Sequence, residues 1–295
     1  MQASDNLKKY NLHHNDPANL QFEVNNAFTY FQKNKDHASI PHRHSFYQVI
    51  WFKKAGRHYV DYQTVNHPAN TVFFINKTQV HYFCLDAPNE GFLFHFNDLF
   101  IAQKDRELMN RFSLSIFNEV GNGYVTLSEE DAKKIALLTS YIQTEILTKE
   151  DYYKDQVFHF FQNILFQIER LRKKEGAVDL FKNPEHKLAI DFKNLVFNEI
   201  DQFHSIDYYA RKLGTSAKTL NEVAKEVLGN TPATIIKESR MLEAKRMLSN
   251  HKTSIKEVAY GLGFDDPTYF TKYFKKATGY TPKAFQKLDF QNTEI

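Results

Sequence analysis

The chain has 295 residues, 25% of them charged, and a formal net charge of +3. This length is sufficient for two ordinary domains with hydrophobic cores, and the composition is that of a globular protein rather than a disordered one. Cys84 is the one cysteine, which excludes an intramolecular disulfide. The N-terminus does not resemble a signal peptide, and no run approaches the ~20 apolar residues that span a bilayer, so we expect a cytoplasmic protein with no membrane partner.

Charge is unevenly distributed along the chain. Residues 184–287 contain 17 Lys and Arg against 12 Asp and Glu, a net charge of +5. Residues 1–183 are neutral, and residues 288–295 carry a net charge of −2. A basic excess confined to the C-terminal third is typical of an attached nucleic-acid-binding module.

Residues 20–100 show the pattern of short β-strands. Runs rich in β-branched and aromatic residues alternate with turn-forming segments such as NHPAN, and no helical period separates them. The predicted strands are residues 46–52, 57–63, 70–76, 79–85 and 91–97. Their close, even spacing predicts an antiparallel barrel or sandwich, and we assign residues 1–100 to this domain.

Two longer helices are predicted next. Residues 128–148 begin with a potential capping serine, Ser128, and residues 155–174 end in a basic cluster; both carry apolar residues at three- and four-residue steps. Such helices can form a dimer seam or simply cover the barrel. We assign residues 101–183 to a helical dimerisation segment that ends in a linker at Gly176–Pro184.

Residues 184–295 are predicted to be all-helical and contain one pattern twice. Residues 204–232 align with residues 253–282, with Gly214 opposite Gly263 and a Thr-Pro pair at the C-terminal end of each copy. Each copy reads as a helix, a tight turn with glycine and a second helix. This is the helix-turn-helix arrangement, whose second helix enters the major groove of DNA.

The second copy carries clear start and stop signals. Ser254 and Glu257 predict a capping box, Gly263 permits a sharp turn, and Asp266 with Pro267 predicts the start of the second helix. The residues expected to face inward are Phe270, Tyr273 or Phe274, and Ala277. Between the copies, residues 232–248 predict a rod of roughly 25 Å. Such a rod can hold two reading helices about one DNA turn, ~34 Å, apart.

Residues 204–287 resemble the DNA-binding domain of the AraC/XylS family of transcription regulators. The motif SIKEVAYGLGF (254–264), the pair Tyr269-Phe270 and the pair Thr281-Pro282 carry this resemblance. It implies a ligand-responsive regulator whose two helix-turn-helix units bind successive major grooves at a promoter.

The residues expected to contact DNA lie at the starts and outer faces of the two reading helices. Lysine can donate to guanine, asparagine can bind adenine, and flanking lysines can meet phosphates. Glu222 stands where the family frequently has arginine, so it would either repel phosphate or accept from cytosine N4. The expected DNA-binding residues are Ser216, Ala217, Lys218, Asn221, Glu222, Lys225, Pro267, Thr268, Thr271, Lys272 and Lys276.

The N-terminal half is similar to the cupin-type sensor domain found in many of these regulators, through PHRHSFYQVIWF (41–52) and FFINKTQVHYF (73–83). The residues expected to bind a ligand are His42, His44, Gln48 and His81. Enzymatic cupins bind iron, manganese or zinc through an H-x-H pair, a glutamate and a distant histidine. Here the glutamate position is occupied by Gln48, so no metal or other cofactor is expected. The alternative to a ligand sensor is a metal-binding cupin enzyme or a metal sensor that uses these histidines.

The sequence therefore predicts an α+β protein of two domains: a cupin-like antiparallel β-barrel with following helices, then an all-α double helix-turn-helix domain at residues 184–295. The expected function is ligand-responsive, sequence-specific regulation of transcription, not catalysis. The expected partners are promoter DNA, a small-molecule effector, RNA polymerase and a second copy of the chain. Activation and repression are both compatible with this prediction.

Overall fold

The computed structural model describes residues 9–10, 12, 20–61, 63–77, 79–102, 104–117, 123–174, 184–248 and 253–287. The chain divides into two compact units, one of Tyr10–Asp179 and one of Leu180–Ile295 together with Met1–Lys9. The predicted linker lies outside the described residues apart from Pro184. None of the described helices is both long and apolar enough to cross a membrane.

The first unit is built on antiparallel strands, as predicted. The strands are β1 (Lys9–Tyr10), β2 (Phe22–Asn26), β3 (Arg43–His44), β4 (Tyr47–Phe52), β5 (Gly56–Val60), β6 (Gln63–His67), β7 (Thr71–Ile75), β8 (His81–Phe83), β9 (Gly91–Phe96) and β10 (Tyr124–Thr126). One sheet has the order β10-β7-β4-β9-β2 and another the order β6-β5-β8. The cupin-like strands thus pair as separate sheets rather than as one closed ladder.

Strand β4 organises the interior of the unit because it lies between β7 and β9 and is buried along its whole length. Tyr47 and Trp51 belong to one hydrophobic cluster, and Ile50 and Phe52 belong to another that includes β8. Successive side chains of a strand point to opposite faces. Gln48 therefore shares the face of Ile50 and Phe52.

Helices complete the first unit. They are α1 (Ala27–Ala38), α2 (Asp98–Ala102), α3 (Arg106–Ser115), α4 (Glu129–Thr148) and α5 (Tyr153–Lys174). Ile135 of α4 and Phe161 of α5 are buried in the same cluster as Trp51 of the sheet. The two long helices predicted from the sequence thus cover the sheet, while Leu137 on the outer side of α4 remains 53% exposed.

Two local predictions in this unit were wrong. The single strand predicted at 57–63 is divided into β5 and β6, because Asp61 adopts a left-handed conformation (φ 48°) that turns the chain. Residues 20–38 form β2 and helix α1 rather than strands alone. Asn26 starts this helix by accepting a hydrogen bond from the Thr29 backbone N–H at 3.0 Å.

Residues 184–248 and 253–287 of the second unit form helices joined by turns, as predicted. Its helices are α6 (Pro184–Asn198), α7 (Ile206–Lys212), α8 (Ala217–Leu228), α9 (Pro232–Leu248), α10 (Ile255–Gly261), α11 (Pro267–Thr278) and α12 (Pro282–Phe285). Helix α6 joins the first helix-turn-helix unit: its Phe192 is buried in one cluster with Tyr209 of α7 and Leu220 of α8. Helix α9 has the predicted bounds of the rod.

The two helix-turn-helix units use the same local devices, and the predicted capping signals are confirmed. Ser254 and Glu257 form the capping box of α10, and Asp266 caps α11 ahead of Pro267. Gly263 has a φ of +78° in the turn between these helices. One inward prediction was wrong: Ala277 is exposed, whereas Phe270 and Phe274 are buried as expected.

Candidate functional site

The four residues predicted to bind a ligand meet inside the first unit. His44 Nε2 lies 2.9 Å from His81 Nε2, and the Gln48 side-chain amide nitrogen lies 3.1 Å from His44 Nε2. The ring of His42 is 4.7 Å from that of His81, centroid to centroid. All four side chains are buried. Strands β3, β4 and β8, and the bridge that pairs His42 with His81, bring them together.

Two further histidines belong to this cluster and were missed in the sequence. His58 on β5 places its Nε2 3.2 Å from His81 Nδ1, and His95 on β9 places its Nε2 3.2 Å from the Gln48 amide nitrogen. His95 lies directly opposite Gln48 in the pairing of β4 with β9. A polar residue inside an otherwise apolar strand, as in GFLFHF, was the available signal. We call His42, His44, Gln48, His58, His81 and His95 the histidine cluster.

Burial keeps histidines of this cluster neutral at ordinary pH. Desolvation is the main cause that lowers the pKa of His44 and of His81 well below the usual value, and neighbouring histidines lower both further. The same two causes lower the pKa of His58 to about 3. In a neutral imidazole one ring nitrogen donates and the other accepts. The cluster can therefore form a chain of directed hydrogen bonds without a buried charge.

The histidine cluster contains buried polar atoms that have no hydrogen-bond partner in the described part of the chain. Gln48 Oε1 and His58 Nδ1 are such atoms. Leaving a buried donor or acceptor unpaired costs about 1–3 kcal/mol. A small molecule with hydroxyl or amide groups could satisfy both atoms, so the cluster is chemically suited to a polar, uncharged ligand.

A metal ion is the other species that this cluster could hold. Potential ligand atoms of His42, His44 and His81 all lie within 4.8 Å of one another. However, the Nε2 atoms of His44 and His81 bond to each other, and Gln48 offers a neutral amide at the place of a carboxylate. The donor set thus lacks the carboxylate of the enzymatic cupin pattern, although its three imidazoles lie within reach of one another.

The predicted DNA-contacting residues of the first unit lie on α8. The Lys218 side chain is 86% exposed and its Nζ lies 4.0 Å from Glu222 Oε1. Lys225 is exposed two turns after Lys218. Ser216 caps the helix, since its Oγ accepts from the Thr219 N–H at 3.0 Å. The exposed face of α8 is thus polar, with acidic and basic groups alternating.

Two residues of this set are less available than the sequence suggested. Ala217 and Asn221 are only half-exposed. The Asn221 Oδ1 atom is buried without a hydrogen-bond partner among the residues that the structure describes. Asn221 must change its side-chain rotamer before both amide groups can reach an adenine edge.

The second set lies on α11, which is more basic. Thr268, Lys272 and Lys276 are exposed, and Pro267 forms the first helical position. Thr271 Oγ1 donates to the Pro267 carbonyl at 2.9 Å, so its methyl group is the part left for an apolar contact. Helix α11 carries three lysines and no acidic residue, whereas α8 carries two lysines and two glutamates. Helix α11 is therefore better suited than α8 to attract phosphate.

Comparisons with known proteins match both units. Residues 26–114 match the model of an AraC-like ligand binding domain, and residues 209–288 match that of a helix-turn-helix domain. The metal-binding enzyme that the histidines suggested as an alternative finds no support in these matches.

Three of the relatives are named as HTH-type transcriptional regulators. The chain is 30% identical over 145 residues to YisR of Bacillus subtilis, a match that covers 48% of this chain and 45% of that protein. It is 38% identical over 95 residues to a regulator encoded in the cgkA 5' region of Pseudoalteromonas carrageenovora, covering 32% and 54%. It is 32% identical over 85 residues to the transcriptional activator RhaS of Pectobacterium carotovorum, covering 29% and 30%. The chain thus spans about half the length of the first two relatives.

Proposed function

We propose a function from the premise that the chain belongs to the AraC family of transcription regulators. In this proposal the chain binds promoter DNA through both helix-turn-helix units, and a small molecule bound at the histidine cluster controls this binding. The observation that carries the proposal is the repeated unit, α7–α8 and α10–α11, with matching caps and turns on either side of α9. A relative, RhaS, is a transcriptional activator, which favours activation over repression here.

The proposal includes partners beyond DNA. A second copy of the chain would dock on the outer side of α4, where Leu137 and Tyr141 are 53% and 46% exposed. RNA polymerase would be the target of activation, and the cytoplasm would be the compartment where the promoter is reached. Control by the effector requires that it bind two arrangements of the protein with different affinity.

The DNA-binding part is tested by selecting bound sequences from the genome and from a random pool. We expect the full chain to enrich one site with two half-sites about one helical turn apart. Enrichment of no sequence over scrambled competitor at moderate salt, with or without cell extract to supply an effector, would show that the proposed function is wrong.

Replacing a reading lysine tests the assignment of α11. Lys272→Ala should weaken binding to the selected site by about 1–3 kcal/mol and leave binding to random DNA much less affected, because the lysine donates to a base edge. Fluorescence anisotropy at two salt concentrations measures both affinities. Lys133→Ala, which removes another exposed positive charge, from α4, is the matched control and should change neither. An equal loss on selected and random DNA would make Lys272 a phosphate contact.

Replacing Gln48 tests the effector site. Gln48→Leu keeps the approximate volume of a buried side chain but removes the amide that joins His44 to His95. We expect a reporter under the selected promoter to stop responding to growth conditions that alter its expression in the wild type, while affinity for the selected site in vitro stays within about twofold. A reporter that still responds fully in the variant would place effector recognition elsewhere.

A further inference from the structure

The loop between α6 and α7 contacts the rod that joins the two helix-turn-helix units. Arg240 of α9 donates from Nε to the Ile200 carbonyl at 3.3 Å and from Nη2 to the Gln202 carbonyl at 2.7 Å. Its guanidinium carbon lies 3.7 Å from the centroid of the Phe203 ring. Arg240 is 3% exposed, so these contacts compensate for burying its charge.

The same loop contacts the turn of the second helix-turn-helix unit. The Phe203 ring meets that of Phe264 edge-to-face at 5.1 Å. The backbone of Gly263 approaches so closely that a Cβ atom built there would lie 2.2 Å from the Asp201 carbonyl oxygen. The segment 200–203, Arg240 and the turn at Gly263 thus form one three-way contact, which we call the inter-unit clamp.

This contact is not a general requirement of the helix-turn-helix turn. Gly214 occupies the equivalent position of the first unit, with a similar φ of +66°, and a Cβ atom there would meet nothing within 4 Å. The two turns share one backbone conformation, but only the glycine of the second lies close to the backbone of another segment. The clamp therefore joins the two units rather than building either of them.

Burying the charged guanidinium of Arg240 costs desolvation free energy, so stability alone does not explain an arginine at this position. The two hydrogen bonds of Arg240 go to carbonyl oxygens in a loop and not to a carboxylate, and an apolar side chain of similar volume would often be at least as stabilising. What a planar guanidinium adds is direction: it fixes the loop relative to the rod in one geometry.

We propose that the inter-unit clamp sets the distance and angle between the reading helices α8 and α11, and so determines which spacing of half-sites the protein accepts. Arg240 and Phe203 act as positioning residues that touch no base. This inference rests on the proposed function, since it concerns how the two units are held on DNA. The inference goes beyond that function because it assigns the range of half-site spacings that the protein binds to residues of α9 and of the loop before α7, and not to the reading helices.

The test uses the full chain and the DNA site that the wild type selects. Three duplexes are made: the selected site, and the same half-sites moved together or apart by one base pair. We expect the wild type to lose about tenfold in affinity for either shifted duplex, because one unit can no longer reach its bases. In Phe203→Ala and in Arg240→Lys the loss of affinity between the selected and the shifted duplexes should shrink to about threefold or less. In the second variant the reason is that the lysine ammonium cannot reproduce the planar, two-bond contact of the guanidinium.

Tyr260→Ala is the matched control: Tyr260 is a tyrosine of α10 with 58% exposure, close to the 55% of Phe203. It should keep the tenfold difference even if its overall affinity changes. Circular dichroism establishes that each variant is folded. If Arg240→Lys does not fold, Phe203→Ala decides the test, because replacing the half-exposed Phe203 is less destabilising than replacing a buried residue.

The outcomes separate this inference from the function on which it rests. Folded Phe203→Ala protein with the wild-type spacing profile overturns the inference, as does a wild type that selects a sequence but binds all three spacings equally. Selection of no sequence by the wild type contradicts the proposed function instead. A flattened profile in the clamp variants and an unchanged one in Tyr260→Ala supports the inference.

Discussion

Lowering the pH from 7 to 5 is expected to destabilise the sheet-containing unit by about 2 kcal/mol through His58 alone, with further losses from His44 and His81. His58 is completely buried, and desolvation holds its pKa near 3. The same histidine in the unfolded chain has a pKa of 6.5. A gap of 1.5 units between that value and pH 5, at about 1.4 kcal/mol a unit, gives the expected loss.

The sign of this effect follows from proton binding. Below pH 6.5 the unfolded chain binds a proton at His58 while the folded chain does not, so falling pH favours unfolding. The stability that neutral His58 contributes is complete above the unfolded pKa. It is lost progressively as the pH falls from 6.5 towards 3.

Trp51 makes the measurement specific to one unit. It is the one tryptophan in the sequence and is 2% exposed in the cluster that joins the sheet to α4 and α5. Urea unfolding followed by tryptophan fluorescence at pH 7 and pH 5 therefore reports this unit alone.

Two variants identify the responsible histidine. His58→Phe keeps a ring among Phe52, Phe73 and Phe83 and should recover about 2 kcal/mol of the acid loss. His159→Phe removes an exposed histidine from α5 and should retain the wild-type pH dependence. Equal stability of the wild type at pH 7 and pH 5, or the same slope in His58→Phe, would contradict this account of the cluster.

The second unit was predictable because its information is local and repeated. Ser254, Asp266 and Gly279 are helix start and stop signals that act within a few residues, and the structure uses them as such. The exposure of Ala277 was not predictable from spacing. It lies on the inner face by helical period, but that face is open to solvent beyond the contact of Phe274 with Phe285.

The histidine cluster was only partly predictable because it depends on pairing between distant strands. His42, His44 and Gln48 are close in sequence, and His81 followed from the family resemblance. His95 is brought to Gln48 by the register of β4 with β9, across 47 residues. A sequence shows that His95 alternates with apolar neighbours, but not which side chain faces it. The inter-unit clamp was not predictable for the same reason: Arg240 and Gln202, which form a hydrogen bond, are 38 residues apart in sequence.

The turn glycines of the two helix-turn-helix units are expected to differ sharply in their tolerance of alanine. Gly263→Ala should cost about 2–4 kcal/mol of unfolding free energy, and Gly214→Ala only about 1 kcal/mol. Both positions have positive φ, which strains any residue with a Cβ atom. At Gly263 that atom would also lie 2.2 Å from the Asp201 carbonyl oxygen, so the backbone of the inter-unit clamp must move.

Hydrogen exchange detected by mass spectrometry separates the cost of positive φ from the cost of the close approach to Asp201. Peptides from α9 to α11 report the stability of the helical unit separately from that of the sheet-containing unit. In Gly263→Ala, amides of α10 and α11 should exchange faster by a factor that corresponds to the full loss, and peptides of segment 199–203 should exchange faster with them. In Gly214→Ala the segment 199–203 should keep its wild-type protection, because the open surroundings of Gly214 leave the clamp undisturbed. Equal losses in the two variants would mean that strain at positive φ is the whole cost. The approach of Gly263 to Asp201 would then not be a close contact in solution.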